Sequence, residues 1–136
     1  MNMYRDILVT ARKSNERITD LFEKRFTYIC LGTESTATAK VQRSFFKKAA
    51  EVDKEIATET ARGKIACSNA EIVIALLPTY RLRKIFYMRY VLHCDWDYVT
   101  KKMREEKEYR IKDLKTVRRL HIMGLRFLRS VEKKIG

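Results

Sequence analysis

The sequence predicts an all-α protein, with two long N-terminal helices followed by a C-terminal helix-turn-helix. Three observations carry that prediction. The 136 residues include one proline and four glycines, too few turn-forming residues for a sheet-rich fold. Apolar side chains recur at three- and four-residue steps over long stretches, which is the helical period. Hydrophobic residues make up 46% of the chain, enough for one compact domain or a small domain with a helical appendage.

The first pattern covers about Asn2 to Leu31, where Tyr4, Leu8, Ala11, Ile18, Phe22, Phe26 and Ile29 recur with charged residues between them. Gly32 fits a left-handed C′ stop. Thr33 to Thr38, rich in Ser and Thr, reads as a loop with several hydroxyls suited to cap the next helix. A second pattern then runs from Val41 through Phe45, Ala49, Val52, Ile56, Thr60, Gly63 and Ala66 to Ala70. Its stripe narrows to alanine and glycine, which lets two helices approach closely. Such a pair closes either within one chain or across a homodimer, and the sequence leaves both open. Ile72 to Leu77 is apolar on all sides and is expected to be buried between the two halves. Pro78 breaks the pattern and starts a new helix, about Thr79 to Leu92. Domain organisation follows: an N-terminal long-helix region at 1–77 and a second region at 78–136.

Charge divides along the same boundary. Residues 1–77 hold 13 Lys+Arg against 10 Asp+Glu, whereas residues 78–136 hold 17 against 7. Of the net +13, +10 thus sits in the last 59 residues, the distribution expected of a module that meets a polyanion.

In that second region Asp95 is placed to cap a short helix carrying Trp96, Val99 and Met103, and Asp113 to cap a final helix. On the final helix Val117, Leu120, Gly124, Leu125 and Leu128 form one face. Lys115, Arg118, Arg119 and Ile122 lie on another, three or four residues apart. A helix-turn-helix needs a support helix, a turn, and a second helix that buries one face while offering the other to the major groove. Long basic side chains in the first half of that helix reach phosphates or pair with guanine O6 and N7. Thr116 is suited either to a phosphate contact or to local capping. Nine residues, Arg104 to Lys112, separate Met103 from Asp113, an enlarged charged turn in which Lys107, Arg110 and Lys112 are further candidates for phosphate contact.

The run LLPTYRLRKIFYMRY, then DWDYVTKKM, then DLKTVRRLHIMGLRFL resembles region 4 of sigma-70-type factors. It is closer still to phage-encoded sigma-70 region 4-like proteins akin to ArpU-type late transcriptional regulators. The resemblance covers about 50 residues well and the rest loosely. It implies that Val117, Leu120, Leu125 and Leu128 pack the helix-turn-helix core and that Lys115, Thr116, Arg118 and Arg119 face DNA. It also places His121 and Tyr90 in packing roles, with Arg89 paired to an acid such as Asp95 or Asp97. The long turn before Asp113 departs from that pattern, which leaves only a few residues there.

The reading that results is a sequence-specific regulator of transcription, of phage or mobile-element origin, acting on late or packaging genes by binding double-stranded DNA. The alternative is a protein-interaction module that contacts RNA polymerase or another host or phage protein. Catalysis is not expected, since no Gly-rich phosphate loop or nucleophile–base spacing stands out and two histidines leave little for acid–base chemistry. No cofactor is expected. Cys30, Cys67 and Cys94 are odd in number and widely spaced, which argues against a metal site and for reduced thiols. With no signal-like segment and no apolar run long enough for a bilayer, the expectation is a soluble protein in the cytoplasm of a bacterial host.

Overall fold

The structure, a computed structural model, describes residues 2–135. The protein is all-α: α1 spans Met3–Gly32, α2 Ala39–Ile74, α3 Tyr80–Phe86, α4 Trp96–Glu105 and α5 Leu114–Ile135. A π-helical turn, Tyr87–Val91, follows α3, and a 3₁₀ turn, Lys107–Tyr109, lies between α4 and α5. The chain forms two compact units, one of Ser14–Lys64 and one of Met1–Lys13 with Ile65–Gly136. The division differs from the expected boundary after residue 77, because the start of α1 and the end of α2 pack with the C-terminal helices.

Within Ser14–Lys64 the second part of α1 and the first part of α2 make an antiparallel hairpin. Thr38 caps α2, its hydroxyl accepting from the Val41 N–H at 3.3 Å. The seam is tight: a Cβ on Gly63 would lie 3.0 Å from Ser14 Oγ. Gly32 ends α1 as its last helical residue rather than as a left-handed C′ cap, since no glycine among the described residues has positive φ. Its missing side chain makes room for a neighbour instead, because a Cβ there would sit 2.8 Å from the Phe46 ring. At the open end of the hairpin Glu59 is buried, accepting from Ser14 Oγ at 3.0 Å with Arg17 Nη1 3.5 Å away.

The other unit holds the larger core. Leu8 and Ala11 of α1 join Ala70, Val73, Ile74 and Leu77, and these pack with buried residues of all three later helices, including Phe86, Val99, Met103, Val117 and Leu128. The segment expected to be apolar on all sides is one-sided: Val73, Ile74 and Leu77 are buried, but Ile72 is 67% and Leu76 40% exposed. α2 runs unbroken to Ile74, so only one face of that stretch meets the core. Thr79 caps α3, accepting from the Leu82 N–H at 3.3 Å.

The π-helical turn after α3 changes the helical phase. The Leu92 N–H reaches back five residues to the Tyr87 carbonyl at 3.0 Å, and the wider turn buries Met88 and Tyr90 together. His93 then takes a left-handed φ of 58°, which stops the helix. Arginines satisfy the carbonyls left at this end. Arg12 Nη1 donates to the Arg89 carbonyl at 2.8 Å, and Arg89 Nη1 to that of Cys94 at 3.2 Å. The Arg89 guanidinium also lies 4.4 Å from the centre of the Trp96 ring.

Candidate nucleic-acid interface

Two aspartates start the two helices that build the site. Asp95 Oδ1 accepts from the Tyr98 N–H at 2.8 Å, and Asp113 Oδ1 from the Thr116 N–H at 2.9 Å. These bonds satisfy donors that a helix cannot satisfy itself. The Thr116 hydroxyl donates to the same oxygen at 2.8 Å. Hydrogen bonds from the Thr116 backbone and hydroxyl hold the Asp113 carboxyl below the usual carboxylate range.

One face of α5 is locked inward by Val117, Leu120, Gly124 and Leu128, all buried. Gly124 is required by close approach, because a Cβ there would fall 2.5 Å from Phe86 Cε1. The ring of Phe86 therefore lies directly on the backbone of α5, and the rotation of that helix about its axis is fixed by contact rather than by charge. Beside it His121 sits in an aromatic cage, with Tyr90 Oη 2.6 Å from its Nε2 and the Phe86 and Trp96 ring centres 5.2 and 4.8 Å away. Burial, then the charges of Arg89 and Arg5, push its pKa down to about 4. The imidazole is thus neutral at physiological pH and serves packing.

The locked rotation turns a basic face outward. Lys115, Arg118, Arg119 and Ile122 are exposed and line one shallow depression, together with Leu114, Met123 and Arg126. No acidic residue occurs in α5 before Glu132. Four of the predicted site residues are therefore brought together. Thr116 is not among them, since its hydroxyl is engaged with Asp113. Lys107, Arg110 and Lys112 are exposed on the connection between α4 and α5, outside the depression. Met123 and Arg126 were not singled out from the sequence. Arg126 follows Ile122 by four residues and Arg119 by seven, so extending the outward row by one more turn would have found it.

The long connection is structured. Ile111 is buried in the core and Tyr109 packs against it, with the Tyr109 and Tyr80 ring centres 6.4 Å apart. Lys84 of α3 pairs with Glu106, and this hydrogen bond raises the Lys84 pKa. Arg104 Nε donates to the Lys112 carbonyl at 2.7 Å, closing the connection across its ends. Arg110 takes a left-handed φ of 51°. The nine residues between Met103 and Asp113 thus return the chain to a well-defined cap at Asp113.

Among the described residues no three His, Cys, Asp or Glu side chains come together as metal ligands, and no helix is long and apolar enough to cross a membrane. No family model, curated protein or solved structure matches the chain.

Proposed function

We propose that the chain binds double-stranded DNA through the outward face of α5 and acts as a sequence-specific regulator of transcription rather than as an enzyme. The observation that carries this reading is the acid-free row Lys115, Arg118, Arg119 and Arg126 around Ile122, on a helix whose opposite face is fixed in the core. Such a row supplies phosphate contacts along its length and base contacts where arginines meet guanine edges. Pairing of Asp95- and Asp113-capped helices, with α5 in the recognition position, supports a helix-turn-helix. A phage or mobile-element origin, and late or packaging genes as targets, rest on the resemblance of residues 76–128 to sigma-70 region 4-like proteins.

Selection of duplexes from a random pool provides the probe. Replacing Arg118 and Arg119 by Ala is expected to weaken binding to the enriched duplex by about 1–3 kcal/mol for each arginine that pairs with a base, and to relax sequence preference. Binding that is unchanged in the double variant overturns this assignment of the reading face.

One observation favours a second reading. Ile122 and Met123 are exposed within the basic row, and an apolar centre ringed by charge also suits a protein partner such as RNA polymerase. Salt separates the two. A DNA reader loses affinity for its duplex steeply as salt rises, in proportion to the phosphates it neutralises. A protein binder shows no such slope and no preferred duplex.

A further inference from the structure

The hairpin Ser14–Lys64 leaves large apolar side chains outside its own seam. Phe22 and Phe26 of α1 are 54% and 69% exposed, and Phe46 of α2 is 42% exposed. At about 100° per residue, the two α1 rings fall on the flank that carries Arg25. Arg25 Nε bonds Asp53 of α2 at 2.6 Å, and Phe46 lies on the flank that carries Asp53. The three rings therefore share one face of the hairpin.

The two helices contribute opposite materials to that face. On α1 Phe26 is bordered by exposed Glu23, three residues before it. On α2 the exposed row Arg43, Lys47, Ala50, Lys54 and Ala57 presents small side chains between bases. The rings and Glu23 on one helix complement alanines and bases on the other.

We propose that this face binds a second copy of the chain, giving an antiparallel four-helix bundle. A two-fold axis parallel to the helices lays α1 of one copy on α2 of the other, so rings meet alanines and acids meet bases. An axis across the helices sets α1 on α1, with acid against acid, and is disfavoured. Rotation about the parallel axis keeps every residue at its own level, so contacts inside the hairpin fix the register. Arg25 is level with Asp53, and Gly32 with Phe46. To within one helical turn, Phe26 then meets Ala50 of the second copy, Phe22 meets Ala57, and Glu23 meets Lys54. This inference does not depend on the reading of α5.

Light scattering on the full chain over a concentration series tests it. The expected mass is twice the 16.2 kDa of one chain. The Phe22→Glu/Phe26→Glu variant is expected to raise the dimer dissociation constant about a hundredfold while its helical circular dichroism is kept. Glu23→Lys alone is expected to weaken the dimer about tenfold, and adding Lys54→Glu to restore it. A wild-type chain that stays monomeric throughout, or a phenylalanine variant that folds and still dimerises, overturns the proposal. Should that variant fail to fold, failure of Lys54→Glu to rescue Glu23→Lys overturns it on its own. Association of the face with anionic lipid vesicles, while the chain remains monomeric, does the same.

Discussion

In the hairpin Ser14–Lys64 the buried residues are small or polar, namely Ser14, Gly32, Ala49, Val52, Glu59 and Gly63, and three phenylalanines stay outside. In the unit that combines Met1–Lys13 with Ile65–Gly136, the buried residues are large: Leu77, Ile85, Phe86, Met103 and Leu128 are each 2% exposed or less. Charge follows the same division. The hairpin carries 10 Lys+Arg against 8 Asp+Glu, whereas the other unit carries 20 against 9. The contrast shows two ways of holding a long helix. A deep apolar core fixes the rotation of α5 so firmly that its outer face is free to concentrate like charge, which costs stability by self-repulsion. A narrow seam permits close approach but buries little apolar surface, and a two-helix hairpin built that way depends on whatever covers its remaining apolar face.

The strongest way to break this contrast is to remove the ring on which α5 rests. Phe86 is completely buried and lies against Gly124, so Phe86→Ala is expected to cost about 3–5 kcal/mol, measured as a shift in the urea midpoint. Hydrogen exchange sharpens the test. Amides of α3, α4 and α5 should lose protection first, while those of the hairpin near Tyr28 and Val52 keep more of theirs. Equal loss in both units would mean that the two are held by one core, contrary to the comparison.

The next effect is read in pH. His121 has a folded pKa near 4 against an ordinary 6.5, chiefly through burial. The neutral ring is therefore favoured in the fold, and its contribution is complete above pH 6.5. It is lost as the pH falls from 6.5 to about 4, where the unfolded chain takes up a proton and the cage does not. The loss is about 3 kcal/mol by linkage. Carboxylates titrate in the lower part of this window, so the quantity to measure is the difference in slope between the wild-type chain and His121→Gln. Parallel pH profiles would show that the cage imposes no penalty on the charged ring.

Much of this was legible in the sequence, for physical reasons that also explain what was not. The caps at Asp95 and Asp113 were readable because capping is local and needs only a short side chain before an apolar pattern. The inward face of α5 was readable because its period is regular. The burial of Met88 together with Tyr90 depends on the wider π-helical turn, which apolar spacing at three and four does not announce. Gly32 was misread as a left-handed stop because a glycine at a helix end serves close approach equally well, and the Phe46 ring that needs the room is distant in sequence. The Ile72–Leu77 run looked buried all round because composition does not reveal which neighbours are present. Thr116 illustrates the limit for the site itself, where one hydroxyl suited both a cap and a phosphate. The Asp113 oxygen that this hydroxyl reaches at 2.8 Å is a partner that the sequence alone does not choose.

The smallest expected effect lies in the seam of the hairpin. Glu59 is buried to within 9% at its side chain, yet its companions Arg17 and Arg62 are 59% and 68% exposed. Solvent screens those two pairs, so most of the energy rests on the hydrogen bond from Ser14. Glu59→Ala leaves the Ser14 hydroxyl buried without an acceptor and is expected to cost about 1–3 kcal/mol. Glu59→Gln keeps an oxygen for Ser14 and should cost less than about 1 kcal/mol, since only the screened ion pairs are lost. Urea unfolding of the two variants side by side makes the distinction. If Glu59→Ala costs as much as Phe86→Ala, the seam is a core of equal strength and the contrast between the units fails. If Glu59→Gln costs as much as Glu59→Ala, charge rather than the Ser14 bond holds the seam, and the hairpin resembles the basic unit more closely than its packing implies.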